Sequence, residues 1–289
     1  MDVRQLRYFV AVAEELHFRR AAERLHLSQP ALSQQIRALE TEMEVPLLFR
    51  NRRRVELTAA GASFLPEARE MLASLDAAVA TARRVHEGRS GRLRVGFVGS
   101  ALLSIVPDVV QRFRAARPDV ELDLRERSTV DQVAALRAGD IDIGLAPLPI
   151  DADGLDTTVL VREPAVAVLP AGHELARLQR IGLRRLAAEP FVLFPRDQAP
   201  GFHDRLTGAV AEYGAAPRVV QHATEMQTIV GLVAAGIGVS LVPASVERLA
   251  LPGVVYRPVV RAPRVELAVI SRRGERSPLV RAFLAGTSG

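Results

Sequence analysis

Four polar side chains recur on one stripe of a helix and carry groups that can hydrogen-bond the edges of DNA bases. Gln29, Ser33 and Arg37 are spaced by four residues, which places them on one helical face, with Gln34 beside them. Arg can bridge O6 and N7 of guanine, and Gln can bridge N6 and N7 of adenine. An ordinary helical hairpin with a solvated polar face is the alternative interpretation. The neighbouring elements decide between this alternative and DNA binding.

The elements around this stripe predict two short helices with a tight break between them. Apolar residues at i, i+3, i+4 and i+7 give the first helix one buried face, formed by Phe18, Ala21, Ala22 and Leu25. Ser28 is placed as the N-cap of the second helix, and Pro30 lies in its first turn. Such a pair is a helix-turn-helix, whose second helix enters the major groove. The residues that we assign to DNA contact here are Ser28, Gln29, Pro30, Ser33, Gln34 and Arg37.

A charged β-hairpin is predicted after the helix pair, which residues 3–15 complete to a three-helix core. Two short apolar strands, Leu47–Phe49 and Val55–Leu57, flank a polar tip. The tip arginines fit contacts to phosphates or to the minor groove. A solvated charged turn is the alternative. The four arginines of this wing that we assign to DNA are Arg50, Arg52, Arg53 and Arg54.

A long helix is predicted from Thr58, its cap, to about Glu87. Apolar residues along it step alternately by four and three, at Phe64, Ala68, Met71, Leu75, Ala78, Ala82 and Val85. A second copy of the chain is the simplest partner for this seam, and two copies would also present two recognition helices to two half-sites. Packing against its own domain is the alternative.

The N-terminal region resembles a known family. The stretch AAERLHLSQPALSQQIRALE, followed by VPLLFRNRRRVELTAAG, is similar to the signature of LysR-type transcriptional regulators nearly position by position. The resemblance is specific over residues 1–65, and the order of the remaining parts agrees over the whole length. It implies a winged helix-turn-helix, a linker helix, an effector domain like that of periplasmic binding proteins, and a tetramer.

The C-terminal part predicts an α/β domain. After the hinge-like Gly88–Gly91, strands and helices alternate as βαβαβ, which implies a parallel sheet. Around Val159–Leu169 the chain is expected to be extended and irregular, as a crossover into a second lobe that repeats the pattern. The fold class is therefore α/β with an all-α, winged N-terminal domain.

The expected division of the chain has three parts. Residues 1–58 form the DNA-binding domain, 59–89 the linker and dimerisation helix, and 90–289 the effector-binding domain. Within the last, lobe one covers about 90–162 and 266–289, and lobe two about 163–265. A ligand cleft is expected between the lobes, at the carboxyl ends of the strands.

Polar residues at the strand ends are the candidates for effector contact. Ser100 is expected to open a helix after the first strand, and Ser128 and Thr129 repeat this after the second. Helix N-terminal N–H groups and hydroxyls suit a carboxylate, although plain N-capping is the alternative. The segment FPRDQAPGFHD resembles one that lines the cleft in LysR-type regulators of aromatic-compound catabolism. It adds Phe202, whose alternative place is the lobe core, and His203; Gln227 is a further candidate.

Composition narrows the function classes. The 289 residues carry a net charge of +5, which permits nucleic-acid binding, and all basic residues are Arg, which a genome-wide bias explains best. The chain has no Cys. Neither a signal peptide nor an 18-residue apolar run is present, so a cytoplasmic location is expected. No HExxH or GxSxG motif is present, so no enzyme, metal or cofactor is expected.

The sequence is interpreted as that of a regulator that binds double-stranded promoter DNA and responds to a small effector, an aromatic or aliphatic carboxylate. The expected assembly is a homodimer or a dimer-of-dimers tetramer, with RNA polymerase as a further candidate partner. One rival is a two-lobed binding or transport protein, or an enzyme on the same fold. A second rival is a constitutive DNA-binding protein whose cleft is vestigial. Only ligand binding distinguishes this rival from the effector-responsive regulator.

Overall fold

The chain forms two compact units, Met1–Arg84 and Val85–Gly289. The computed structural model describes residues 1–50, 54–214 and 216–287, and of Arg50 it describes the backbone only. Within these ranges no helix combines the length and apolar character that crossing a membrane requires.

Three helices form the core of the first unit, and they run Val3–Glu15 (α1), Phe18–Arg24 (α2) and Gln29–Met43 (α3). The α1 helix begins in a capping box, in which the Asp2 carboxylate accepts from the Gln5 N–H at 2.8 Å and the Gln5 side chain accepts from the Asp2 N–H. The inward faces pack together without solvent exposure at Phe9, Val12, Leu32, Ile36 and Leu39. The predicted three-helix core is confirmed.

The wing follows α3 as an antiparallel hairpin of two strands, Leu48–Arg50 (β1) and Val55–Leu57 (β2). A long helix, Ala59–His86 (α4), comes next. As predicted, Thr58 caps it, because its Oγ1 accepts from the Gly61 N–H at 2.9 Å. Gly61 is buried where α4 passes the wing, and a Cβ there would lie closer than 3.0 Å to the Leu47 carbonyl group.

The apolar seam of α4 has two environments. Its first members, Phe64 and Ala68, pack in the three-helix core, with the rings of Phe9 and Phe64 5.4 Å apart. Further along, Met71 and Leu75 are 42% and 37% exposed. The expectation that the whole seam is available to a second copy is therefore wrong at the start of the seam, which packs against its own domain. Met71 and Leu75 are exposed and remain available to a second copy.

The second unit opens with three parallel strands. Its first elements are Gly91–Phe97 (β3), Val106–Ala116 (α5), Val120–Glu126 (β4), Thr129–Ala138 (α6) and Ile143–Pro147 (β5). β3 pairs in parallel with both β4 and β5, which confirms the predicted βαβαβ order. The helix expected from Leu102 begins only at Val106, because a short 3₁₀ turn, Gly99–Leu103, precedes it.

The rest of the second unit builds lobe two and returns. Its elements are Leu155–Pro170 (β6), Ile181–Gly182 (β7), Leu183–Leu186 (α7), Pro190–Leu193 (β8), Pro200–Ala211 (α8), Arg218–His222 (β9), Met226–Ala234 (α9), Ser240–Pro243 (β10), Val254–Val260 (β11), Arg264–Arg272 (β12) and Pro278–Gly286 (α10). Short 3₁₀ segments at Glu174–Arg177 and Ala244–Leu249 connect some of them.

The stretch expected to be irregular, Val159–Leu169, is instead part of the continuous strand β6. Residues 155–164 of β6 pair with β12, and residues 165–170 pair with β10 and β11. The run Ala165–Leu169 is buried throughout, as in a central strand covered on both faces. One sheet therefore runs through both lobes in the order β4-β3-β5-β12-β6-β11-β7, with β10 also on β6.

Each lobe has its own apolar core. In lobe one, α5 and α10 cover the sheet, and the rings of Phe113 and Phe283 lie 5.2 Å apart. In lobe two, α8 and α9 pack around Phe191, which is fully buried. Because β6 and β12 take part in both lobes, they join the lobes and hold the strand ends of lobe one opposite α8 and α9.

Candidate DNA-reading surface and effector cleft

The outer face of α3 carries the residues assigned to the major groove. Ser28 is the N-cap, and its Oγ accepts from the Ala31 N–H at 3.4 Å. Gln29, Gln34 and Arg37 are exposed, and Ser33 is half-buried. The buried Leu32, Ile36 and Leu39 hold the opposite face against the core, so this polar face is fixed in orientation. The residue at the second helical position, Pro30, is exposed as well.

Glu40 fastens the wing to α3, a role that the helical pattern did not reveal. Its Oε1 accepts from the backbone N–H groups of both Leu47 and Leu48, each at 3.0 Å. Charge-assisted bonds of this kind are stronger than neutral ones. The recognition helix and the first strand of the wing are thereby coupled.

The wing tip is described in part. Arg54 is exposed and lies 3.7 Å from the Glu56 carboxylate. Arg52 and Arg53 lie outside the described residues, as does the side chain of Arg50, whose backbone ends β1.

Two adjoining cavities lie between the lobes of the second unit. The larger, about 570 Å³, is called the outer cleft, and its lining is Val98, Gly99, Ser100, Arg125, Glu126, Arg127, Ser128, Val130, Asp131, Phe194, Asp197, Gln198, Thr224, Glu225 and Met226. The smaller, about 30 Å³, is called the inner cavity, and its lining is Val98, Ser100, Ser104, Thr129, Pro147, Glu163, Phe194, Ala199, Phe202, Met226, Pro243, Val265 and Leu267.

The inner cavity brings together three predicted residues, Ser100, Thr129 and Phe202. Its volume of about 30 Å³ holds one or two water-sized groups. An aromatic carboxylate cannot fit whole between these three side chains. The bulk of such a ligand has room only in the outer cleft.

Ser100 differs from its expected setting. It lies in the 3₁₀ turn Gly99–Leu103 and not at the start of an α-helix, since α5 begins at Val106. The expected helix N–H groups are therefore not offered at Ser100. Its hydroxyl has no hydrogen-bond partner among the described residues and lines both cavities.

Ser128 and Thr129 take different parts at the start of α6. Ser128 is the N-cap, because its Oγ accepts from the Asp131 N–H at 3.1 Å and donates to the Asp131 carboxylate at 2.8 Å. This is the capping alternative, although Ser128 also lines the outer cleft. Thr129 is 4% exposed, and its Oγ1 is buried with no partner in the described part of the chain.

Lobe two supplies one of its three candidates to the cavities. Phe202 packs in the lobe core and lines the inner cavity, with its ring 6.3 Å from that of Phe194. His203 instead points its Nδ1 to the Asp204 carboxylate at 3.2 Å, and Gln227 is exposed; neither lines the two cavities. The neighbours Glu225 and Met226 line the outer cleft instead of Gln227, and the α9 helix begins one residue later than predicted.

Two carboxyl groups from opposite lobes meet in the outer cleft. Glu126 ends β4 of lobe one, and Glu225 is the N-cap of α9 in lobe two. Both reach over Gly99, where an added Cβ would lie 2.8 Å from Oε2 of Glu225 and closer still to Oε1 of Glu126. Burial raises the pKa of Glu225, and the negative charge of Glu126 and a hydrogen bond to it raise that pKa further.

Arg127 is the positive group of this cleft that remains available. Its neighbour Arg125 is held by the Asp123 carboxylate at 2.7 Å. Arg127 is half-buried and lines this cleft, and its guanidinium has no ion pair within the described ranges. The charge pattern RERS at the end of β4 is the sequence signal that would have pointed to both Glu126 and Arg127.

A winged helix-turn-helix joined by a long helix to a two-lobed α/β domain defines a class of transcriptional regulator. Comparison with known proteins agrees. The chain matches the family described as bacterial regulatory helix-turn-helix protein, lysR family, over residues 3–62, and the LysR substrate binding domain over residues 86–286. The chain belongs to the LysR family, and it is thus a DNA-binding transcriptional regulator with an effector-binding domain, and not an enzyme.

Individual relatives match over nearly their full length. The chain is 46% identical over 287 residues to the HTH-type transcriptional regulator IlvR of Caulobacter vibrioides, covering 98% of this chain and 96% of the relative. It is 39% identical over 285 residues to the HTH-type transcriptional regulator CatR of Pseudomonas putida, covering 98% of this chain and 97% of the relative. The crystal structure of full-length CbnR complexed with its target DNA superposes on this chain with a TM-score of 0.85 at 30% identity. The match covers 99% of this chain and 98% of the CbnR chain.

Proposed function

We propose that the regulator is switched by a small organic carboxylate bound in the outer cleft, at Arg127. The observation that carries this proposal is Arg127, which lines a cavity of about 570 Å³ and whose guanidinium has no ion pair within the described ranges. Arg binds carboxylates through two parallel hydrogen bonds, and in a half-buried site each charge-assisted bond is stronger than in water. The free hydroxyl of Ser100 offers a further donor nearby.

The apolar part of the effector extends toward the inner cavity. Phe194 and Met226 line both cavities and form the passage between them, and Phe202 lies at the inner side. Thr129 lines the inner cavity with a buried hydroxyl. A short aliphatic or aromatic group near Phe194 and Met226 would be covered on both sides. This arrangement retains Ser100, Thr129 and Phe202 as effector contacts, with the charge at Arg127.

The DNA end of the proposal uses the exposed face of α3. Gln29, Ser33, Gln34 and Arg37 read base edges, and Arg54 and the neighbouring wing arginines contact phosphates. The three-part division at residues 58 and 89 is retained, with α4 as the dimerisation helix through Met71 and Leu75. Dimers or dimer-of-dimers tetramers place recognition helices on separate half-sites, and effector binding shifts their relative placement.

Calorimetry of the full chain against a broad panel of aromatic and aliphatic carboxylates tests the proposal. At least one compound should bind. Ser100→Ala should weaken that binding by about 1–2 kcal/mol through one lost charge-assisted hydrogen bond, and Arg127→Gln should weaken it more. Arg185→Gln, an exposed arginine of α7 outside both cavities, is the matched control. A panel without a binder, or a binder indifferent to Arg127→Gln, would refute the proposal and favour a vestigial cleft.

A further inference from the structure

The outer cleft carries more negative than positive charge. Its lining includes four acidic side chains, Glu126, Asp131, Asp197 and Glu225, and two arginines, Arg125 and Arg127. One of those arginines is already engaged by Asp123, with three hydrogen bonds of 2.7–3.1 Å. A plain anion bound at Arg127 therefore meets net repulsion from the rest of the cleft. A ligand that also carries a positive group does not.

The carboxyl pair of Glu126 and Glu225 is where such a positive group fits. The two side chains come from different lobes and converge above Gly99, whose lack of a Cβ leaves them the space. Neither carboxyl has a basic partner among the described side chains. Two carboxyl groups within hydrogen-bonding reach of each other repel unless a proton or a cation lies between them. In the structure a shared hydrogen bond takes this part, with the pKa of Glu225 raised first by burial and then by Glu126.

A separate observation is an unsatisfied polar group in the wall of the inner cavity. Thr129 is 4% exposed and lines the inner cavity, and its Oγ1 has no hydrogen-bond partner in the described part of the chain. Leaving a buried hydroxyl unsatisfied lowers stability, and a ligand group that accepts its hydrogen would remove that cost. The inner cavity adjoins the outer cleft through Ser100, Phe194 and Met226, so one small polar molecule can reach both regions.

We propose that the effector is an amino carboxylate, whose ammonium group binds between Glu126 and Glu225 while its carboxylate binds Arg127. This inference rests on the proposed function, because it adds a second charged group to the same ligand. An ammonium offers three N–H donors, which is enough to bond both carboxylates at once. The bound molecule is neutral overall, so it does not add to the negative charge of the cleft.

Such a ligand ties the two lobes together. Glu126 belongs to lobe one and Glu225 to lobe two, so the ammonium replaces the shared proton as the bridge across the cleft. On binding, the pKa of Glu225 falls from its raised value, so whatever fraction of Glu225 is protonated in the free protein releases its proton to the buffer. Affinity therefore increases as the pH rises through the pKa of Glu225 in the free protein, and it levels off above it. The other charged groups lining this cleft are Glu126, Asp131, Asp197, Arg125 and Arg127.

Matched sets of compounds that differ by one charged group test the inference on the full chain. Leucine, 4-methylpentanoate and 3-methylbutylamine form one set, and phenylalanine, 3-phenylpropanoate and 2-phenylethylamine form another; the remaining proteinogenic amino acids and their deamino acids extend the panel. Calorimetry should find an amino acid that binds at least about tenfold more tightly than its deamino acid, a ratio worth about 1.4 kcal/mol. Repeating the titration in buffers of different ionisation enthalpy should reveal proton release.

The variant Glu225→Gln should reduce the ratio between amino acid and deamino acid toward one, because the deamino acid gains from the removal of a negative charge. Glu126→Gln provides a second, independent variant, and Glu212→Gln, an exposed glutamate at the end of α8, is the control. A purely structural carboxyl pair would lower both affinities equally and leave the ratio unchanged. Deamino acids that bind as tightly as amino acids would overturn this inference alone; a panel with no binder, or binding indifferent to Arg127→Gln, would overturn the proposed function as well.

Discussion

Replacing Gly61 with alanine should detach the wing from α4. Gly61 is buried in the first turn of α4, and an added Cβ would come closer than 3.0 Å to the carbonyl group of Leu47. That carbonyl oxygen also accepts from the Thr58 N–H at 3.0 Å, so backbone and not a flexible side chain must move. Overpacking costs about 1–3 kcal/mol and a lost hydrogen bond about 0.5–1.5 kcal/mol. We therefore expect Gly61→Ala to destabilise the first unit by about 2–4 kcal/mol.

Hydrogen exchange followed by mass spectrometry measures this locally. Peptides from Met1–Arg84 should lose protection by about 30-fold to several hundred-fold, while those of the second unit keep theirs. Affinity for random-sequence DNA should fall, because a displaced wing would carry Arg54 away from the position that the Glu40 contacts fix relative to α3. The control is Gly208→Ala, in an exposed turn of α8 where nothing lies within 4 Å of the added Cβ. It should be neutral or stabilise by about 0.4–1 kcal/mol.

The opposite outcome is informative. If Gly61→Ala kept the protection and DNA affinity of the parent, the close packing of α4 on the Leu47 carbonyl would not position the wing. A loss of protection shared by Gly208→Ala would show that the added methyl group matters in any helix of this chain, and not the contact at Gly61.

Two further predictions concern DNA reading and assembly. Arg37→Ala should cost about 1–3 kcal/mol on the sequence that the parent selects from a random DNA pool, and should relax the preference at one base pair; an equal loss on selected and random DNA would remove Arg37 from base readout. Leu75→Asp places a charge in the exposed part of the α4 seam, so light scattering should show smaller species than for the parent or for the control Ser74→Asp, and an unchanged mass would mean that the seam does not join subunits.

The N-terminal half of the fold could be predicted closely because its signals are local. The helix bounds 3–15 and the N-cap Ser28 follow from apolar spacing and capping residues that act within a few positions. The wing strand begins one residue later than predicted. The α5 helix begins four residues later than predicted, because the 3₁₀ turn Gly99–Leu103 occupies the expected helix start. The strand β6 was missed as a strand because its partners change midway from β12 to β10 and β11, which no local pattern encodes.

The site shows the same limit at the level of side chains. Ser100, Thr129 and Phe202 were found because they follow strands or resemble a family segment, and the inner cavity brings them together. Glu126 and Glu225 were missed because a single glutamate at a strand end or a helix start looks like a solvated residue or a cap. Only the folded structure shows that the two lobes bring these carboxyl groups together over Gly99.

The position of this carboxyl pair also separates what fixes the fold from what selects the ligand. The backbone contacts of lobe one are satisfied by β3, β4 and β5 whatever the side chain at Glu126, since that residue ends its strand and is exposed. The same holds for Glu225, whose side chain makes no capping hydrogen bond to α9. Neither carboxyl is needed to form its own element, and when both are ionised their mutual repulsion works against holding the lobes together across the cleft. A cation between them turns that repulsion into attraction across the lobes, so the stability of the closed cleft depends on the charge of what it binds.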